Sequence, residues 1–204
     1  MAYTVKIIRN KEQQTTGWSG GTTTEVSIYP ADAVYRRHNF LWRLSSARVD
    51  VDESTFTTLP GISRVLMVID GVLALRHEGH HSVQLQPFEQ DRFSGDWQTT
   101  STGKVRDFNL MMSSPCQGQL SAITVEKQIT ITIFEEINPD LQEMVAFYCV
   151  YGGGQVVVNK NEVIELGEGD FLLFHGYGDK KSIVLELRNF VGKKAKFIRA
   201  DMQF

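Results

Sequence analysis

Arg64-Val65-Leu66-Met67-Val68-Ile69-Asp70-Gly71-Val72-Leu73-Ala74-Leu75 is the stretch that decides the fold. Val65 to Ile69 is short and apolar at every position, as a strand covered on both faces should be. Gly71 offers a tight turn, and Leu73 with Leu75 restores alternation. Met144 to Val158 has the same grammar, with Gly152-Gly153-Gly154 at the turn. Leu85 follows Gly71 by fourteen residues, and Leu166 follows Gly152 at the same distance. Each leucine leads into an acidic turn, Glu89-Gln90-Asp91 or Gly167-Glu168-Gly169-Asp170, and then into another apolar or aromatic strand. Hairpin, second hairpin and return make half of a jelly roll, and the chain contains this pattern twice. The expected rolls are residues 1–114 and 115–204, with terminal strands free to cross between them.

The rest of the chain reads the same way. Thr22–Ile28, Leu41–Val51, Gln119–Val125 and Ile129–Phe134 alternate with the period of a strand. Pro139–Phe147 is the best helical candidate, with Asn138 as its N-cap, although a loop leading into a strand fits it too. The class is therefore all-β, a sandwich or barrel with little helix.

A chain of 204 residues with 42% hydrophobic and 22% charged residues is ordinary for a globular protein. Its net charge of −3 is spread along the chain, leaving no electrostatic footprint for nucleic acid or an anionic membrane. The one basic knot, Lys193-Lys194-Ala195-Lys196, reads as a solvated turn. Met1–Asn10 reads as a strand without the apolar core of a signal peptide, and no run approaches a membrane span. Cys116 and Cys149 stand far apart with no CxxC pairing, so reduced, partly buried thiols and a cytoplasmic location are expected.

Five segments carry a resemblance. They are Trp18-Ser19-Gly20-Gly21-Thr22-Thr23-Thr24-Glu25, Trp42-Arg43-Leu44-Ser45-Ser46-Ala47, Phe56-Thr57-Thr58-Leu59-Pro60-Gly61-Ile62-Ser63-Arg64, Phe93-Ser94-Gly95-Asp96 and Asp107-Phe108-Asn109-Leu110-Met111. In this order, over residues 15 to 112, the sequence resembles the HutD/Ves family, bicupins of which some members are associated with histidine utilisation. Ser19 departs from the Asn of many members, and Thr57 from the usual Ser. The resemblance implies two cupin-like β-rolls and a small-molecule pocket in the first of them.

The residues themselves suggest what that pocket holds. On alternating strands Arg43 and Ser45 share a face opposite Trp42 and Leu44, and Asp107 and Asn109 share a face opposite Phe108 and Leu110. Two polar faces could line a roll interior or look at solvent. Cupins that bind metal do so through an H-x-H pair, a Glu ahead of a Gly, and a later His. Counted from Gly71, the Glu place holds Arg64, the His places hold Thr and Pro, and the later His place holds Gln98. Hence no metal and no cofactor are expected in the roll. His77-Glu78-Gly79-His80-His81 reads as an exposed hairpin tip, open to adventitious metal rather than a native site.

A guanidinium at the metal position asks for an anion, either a ligand carboxylate or Asp107 or Glu25 within the protein. The candidate ligand-binding set is Arg64, Arg43, Glu25, Asp107, Asn109, Trp18, Thr22, Trp42 and Ser45, with no catalytic residue assigned. The expected function is metal-independent binding of a small anionic metabolite, with histidine-degradation intermediates as first compounds to try. The alternatives are a metal-independent enzyme with Glu25 or Asp107 as general base, and a structural or interaction protein whose roll is filled by side chains. Homodimerisation is left open.

Overall fold

The computed structural model describes residues 3–135, 141–176, 182–190 and 194–204. In chain order its strands begin with β1 (Tyr3–Ile8), β2 (Gln14–Trp18), β3 (Gly21–Tyr29), β4 (Trp42–Val49), β5 (Glu53–Thr55) and β6 (Ile62–Asp70). Then come β7 (Leu73–His77), β8 (Ser82–Leu85), β9 (Gln90–Ser94), β10 (Thr99–Thr102), β11 (Val105–Ser113) and β12 (Gln117–Val125). The last are β13 (Gln128–Ile133), β14 (Glu143–Tyr151), β15 (Gly154–Val158), β16 (Glu162–Leu166), β17 (Phe171–Gly176), β18 (Ile183–Asn189) and β19 (Ala195–Gln203). Among the described residues the helical turns are Asn10–Glu12 and Tyr35–Arg37, both 3-10. No helix of the described residues is long and apolar enough to cross a membrane.

The chain forms two compact units, Gln13–Gln117 and a second made of residues 1–12 with 118–204. The first has a six-stranded sheet, β2-β3-β4-β11-β6-β9, and a four-stranded one, β5-β10-β7-β8. The second has a five-stranded sheet, β1-β17-β14-β19-β12, and a four-stranded one, β13-β18-β15-β16. Strand order repeats term by term: β4-β11-β6-β9 matches β12-β19-β14-β17, and β5-β10-β7-β8 matches β13-β18-β15-β16. Register repeats as well. Arg64 pairs with Phe93 and Leu73 with Leu85; eighty-one residues on, Val145 pairs with Phe174 and Gly154 with Leu166.

A boundary at 114/115 would leave β1 with the first roll. Its hydrogen-bonded neighbour is β17 instead, in register from Tyr3 opposite Gly176 to Ile8 opposite Phe171. The next two residues hold it there: Arg9 Nη1 lies 2.7 Å from Asp170 Oδ2, and the Asn10 amide donates to Asp170 Oδ1 at 2.9 Å.

The helical expectation for 139–147 is not met where it is described. Residues 138–140 lie outside the described residues, and Glu143–Tyr151 is β14. Met144 to Val150 is apolar at every position, so no period distinguishes strand from helix there. Pairing with β17 and β19 on either side settles it as a strand.

The second unit packs an apolar core that includes Val145, Phe147, Val158, Leu172, Phe174, Leu185 and Phe197, all buried. The first unit includes two smaller clusters. One gathers Leu66, Val68, Leu73, Leu75 and Phe93, and the other Phe40, Leu59, Ile62 and Met111.

Gly71 and Gly152 both end the long central strand of their unit with φ +85°. A Cβ on Gly71 would come 2.5 Å from the Lys104 carbonyl oxygen, and one on Gly152 would overlap that of Lys194. Gly71→Ala and Gly152→Ala are each expected to lose about 1–3 kcal/mol, from positive φ with added overlap. Urea unfolding of each variant against wild type measures this.

Candidate functional site

Strand phase builds the site. Strand β11 lies between β4 and β6, so Met111 stands opposite both Arg43 and Arg64, Asn109 opposite Ser45 and Leu66, and Asp107 opposite Ala47 and Val68. Strand β3 adds Glu25 opposite Ser45 and Thr23 opposite Ala47. All of these side chains except Val68 look into a cavity of about 750 Å³ in the first unit. Its mouth is framed by Trp18 on β2, by Ala33 to Arg36 around the 3-10 turn, and by Ser54 to Thr57.

Arg64, Arg43, Glu25, Asp107, Asn109, Trp18 and Ser45 therefore all line one cavity. Thr22 and Trp42 do not. Thr22 alternates with Thr23 and points away, while Trp42, fully buried, lies on the opposite face from Arg43 and stacks on Tyr29 at 5.8 Å. Trp18 owes its position to the glycine pair. A Cβ on Gly20 would overlap the Trp18 ring and one on Gly21 the Arg48 carbonyl oxygen, so the β2–β3 turn closes only on glycine. The ring stays 40% exposed at the cavity mouth.

The two interior arginines are held differently. Arg43 Nε donates to Glu25 Oε2 at 2.8 Å and its Nη1 to Ser45 Oγ at 3.1 Å, with the guanidinium 4.2 Å above the Tyr35 ring. Arg64 has no such anchor. It makes no ion pair with Asp107 or Glu25, and its Nε is buried without a hydrogen-bond partner. Its guanidinium instead lies 4.8 Å from the Phe56 ring and 5.0 Å from that of Phe93. Burial pulls it down to about 10, against the attraction of Asp107. Asn109 Oδ1 is also buried without a partner.

Asp107 sits four residues along β11 from Met111, which stands opposite Arg64. Burial pushes its carboxyl up to about 7, against the opposing pull of Arg64 and the Ala47 backbone. At neutral pH the cavity thus contains one paired arginine, one arginine without an ion partner, and a carboxyl poised between its two states.

The sequence reading misses Tyr35 and Phe56, which cover the two guanidinium groups. Both sit in loops, where no periodicity points inward. The histidine segment also departs from expectation. His77 is not part of an exposed tip: it is 2% exposed, with Nδ1 2.8 Å from Thr99 Oγ1 and Nε2 2.9 Å from Asp91 Oδ2. Cys116 and Cys149 are buried free thiols, and burial pushes both up to about 12.

The family model for HutD matches residues 10–189. The chain belongs to the HutD family. Among solved structures, this HutD-family chain is similar to PA5104 from Pseudomonas aeruginosa PAO1, described as a conserved protein of unknown function. The TM-score is 0.81 at 22% identity over 98% of both chains. It is also similar to HutD from Pseudomonas fluorescens SBW25, solved in a formate condition, with TM-score 0.68, 23% identity, and 97% and 98% coverage. The bacterial pirin YhhW of Escherichia coli in complex with nickel(II) gives 0.66 at 10% identity, covering 97% and 98%. No curated protein matches. The fold is of the cupin type in both units.

Cupin relatives of this kind raise the matter of a metal inside the roll. No His or Cys is among the residues lining this cavity, and two buried guanidinium groups stand among its donors. That donor set does not fit a cation.

The raised Asp107 carboxyl has a stability consequence. Between about pH 4 and pH 7 the folded protein keeps a proton that the unfolded chain releases, so this group's contribution falls as pH rises and levels off above 7. Asp107→Asn is expected to flatten this slope and to be the more stable form at pH 8, as read by urea unfolding across pH 4 to 8.

Proposed function

We propose that this HutD-family protein binds a small carboxylate metabolite, without metal, in the cavity of its first unit. The observation that carries this reading is Arg64, a buried guanidinium lining the cavity with no ion partner and an unused Nε. A buried cation left unpaired is costly, and a ligand carboxylate would complete it. Asn109 Oδ1, equally unpartnered, asks the same ligand for an N–H or O–H donor. Phe56 and Tyr35 supply flat apolar walls. An unsaturated or amidated acid with a donor beyond its carboxylate fits these demands. Urocanate and formylglutamate, intermediates of histidine degradation, are of that chemistry, and the family association makes them the first to test. The role is sensing or handling such a metabolite in the cytoplasm.

A second reading, a metal-independent enzyme, draws on Asp107. A carboxyl held up to about 7 is suited to general acid–base work at neutral pH. Mass analysis of each acid after incubation separates the two, since a binder returns its ligand unaltered. The third alternative, a roll filled by its own side chains, is weakened by a cavity of about 750 Å³.

The test is calorimetry with urocanate, formylglutamate and related acids. A charge-assisted hydrogen bond contributes roughly 1.5–3 kcal/mol, so Arg64→Ala should weaken binding about 10- to 150-fold. Arg64→Met, which keeps the volume and breaks no ion pair, should bind as poorly yet unfold no more easily than wild type. Unchanged affinity in Arg64→Ala, or no saturable binding of any acid to wild type, would sink the proposal.

A further inference from the structure

The polar cluster around His77 lies outside the carboxylate cavity. The three side chains at its centre come from different places: His77 ends β7, His81 opens the way into β8, and Asp91 lies on β9. His77 Nε2 is 2.9 Å from Asp91 Oδ2, and His81 Nε2 is 3.0 and 3.1 Å from the two oxygens of the same carboxylate. One ligand atom from each of the three lies within 4.8 Å of the others. The His77 side chain is fully buried, while that of His81 remains 42% exposed. The cluster is thus closed on the protein side and open to solvent at His81.

The second unit shows that the fold does not require polar groups here. At the positions matching His77, Asp91 and Thr99, strand register places Val158, Leu172 and Leu185, all in its apolar core. Two buried hydrogen-bonding groups and a partly buried carboxylate, where the sister unit packs hydrocarbon, impose a desolvation cost that has to be offset locally.

Proton accounting points to what offsets it. Thr99 Oγ1 stands 3.4 Å from the Trp97 carbonyl oxygen, to which it donates. It is then free to accept from His77 Nδ1–H at 2.8 Å. With Nδ1–H donated to Thr99, the Nε2 lone pair of His77 faces a carboxylate oxygen, and a cation between the two satisfies both. The opposite tautomer, with Nε2–H donated to Asp91, is the metal-free state of the same cluster. A metal ion satisfies all three groups at once, and an Nδ1–H held by a hydroxyl is the kind of outer contact that orients a ligating imidazole.

We propose that His77, His81 and Asp91 form a site for one borderline divalent cation of the zinc, nickel or cobalt class, with Thr99 orienting His77. Two imidazoles and one carboxylate make a three-ligand set that leaves the fourth position to water. The ion ties the Glu78–His81 turn to β9. His80 is not a ligand: its ring stacks on Trp97 at 3.8 Å.

The experiment uses the full, tag-free chain, stripped with chelator and titrated with Zn2+ by calorimetry and with Co2+ by visible absorption, alongside thermal unfolding. Wild type is expected to bind one ion per chain, to show the absorption of bound Co2+, and to melt higher with Zn2+ present. His81→Ala, at an exposed position that leaves the core intact, should lose saturable binding and the thermal shift. Thr99→Val should weaken binding about 10- to 100-fold. His80→Ala should change neither. No saturable binding by wild type, or binding that survives His81→Ala, would overturn the site and leave a hydrogen-bonded His–Asp–His cluster. Equal loss in His80→Ala and His81→Ala would also overturn it, as adventitious capture by surface imidazoles. Carboxylate binding in the cavity is measured independently of all these outcomes.

Discussion

Strand β11 is locked between β4 and β6, and this double register governs which side chains the first unit turns inward. Arg43, Ser45 and Ala47 on one side, and Arg64 with Leu66 on the other, face the same space as Asp107, Asn109 and Met111. A slip of one residue would exchange them for Trp42, Leu44, Phe108 and Leu110, burying the polar set on the wrong face. What enforces the register is apolar: Trp42, Leu44, Phe108 and Leu110 are all essentially inaccessible to solvent. The cavity's chemistry is therefore held in place by residues that never enter it.

The two units share a frame and differ in filling. Val145 and Phe197 occupy in the second unit the register positions of Arg64 and Asp107 in the first. The second unit's core cluster is hydrocarbon throughout, apart from a Cys149 thiol, whereas the first unit also buries Arg43, Arg64, Asp107 and Asn109. Stability of the first unit is correspondingly tied to protonation of Asp107 and to what Arg64 faces, while the second depends on ordinary packing.

Much of the frame was legible in the sequence, because a glycine turn after an apolar run is a local signal and appears at Gly71 and again at Gly152. The arginine at position 64 was legible as an anomaly, a cation where cupin relatives place an acidic ligand. Strand phase also decides more than motif membership does: counted from Glu25 or Arg43, it excludes Thr22 and Trp42 from the cavity wall. Other features depended on contacts remote in sequence. The burial of His77 follows from Asp91 and Thr99, fourteen and twenty-two residues away, and from Phe93, whose ring lies 4.6 Å from that of His77. The loop residues Tyr35 and Phe56 carry no period to betray their direction. In Met144–Val150 uniform apolarity erased the signal that separates strand from helix.

The placement of β1 beside β17 bears on how the chain is made. On a ribosome, residues 13–117 can complete their own two sheets while the remainder is still being synthesised. Strand β1 precedes every other described strand and yet stays unpaired until β17, which begins at Phe171, has been made. Until then Tyr3, Val5 and Ile7 belong to an unmatched strand, exposed to pairing with other nascent chains. The first unit is in effect an insertion within the second, and closing the second means joining residues 8 and 171 across it. Loop-closure entropy grows only logarithmically with length, and the folded insertion shortens the effective loop. The burden of this topology falls on the timing of synthesis rather than on the final stability.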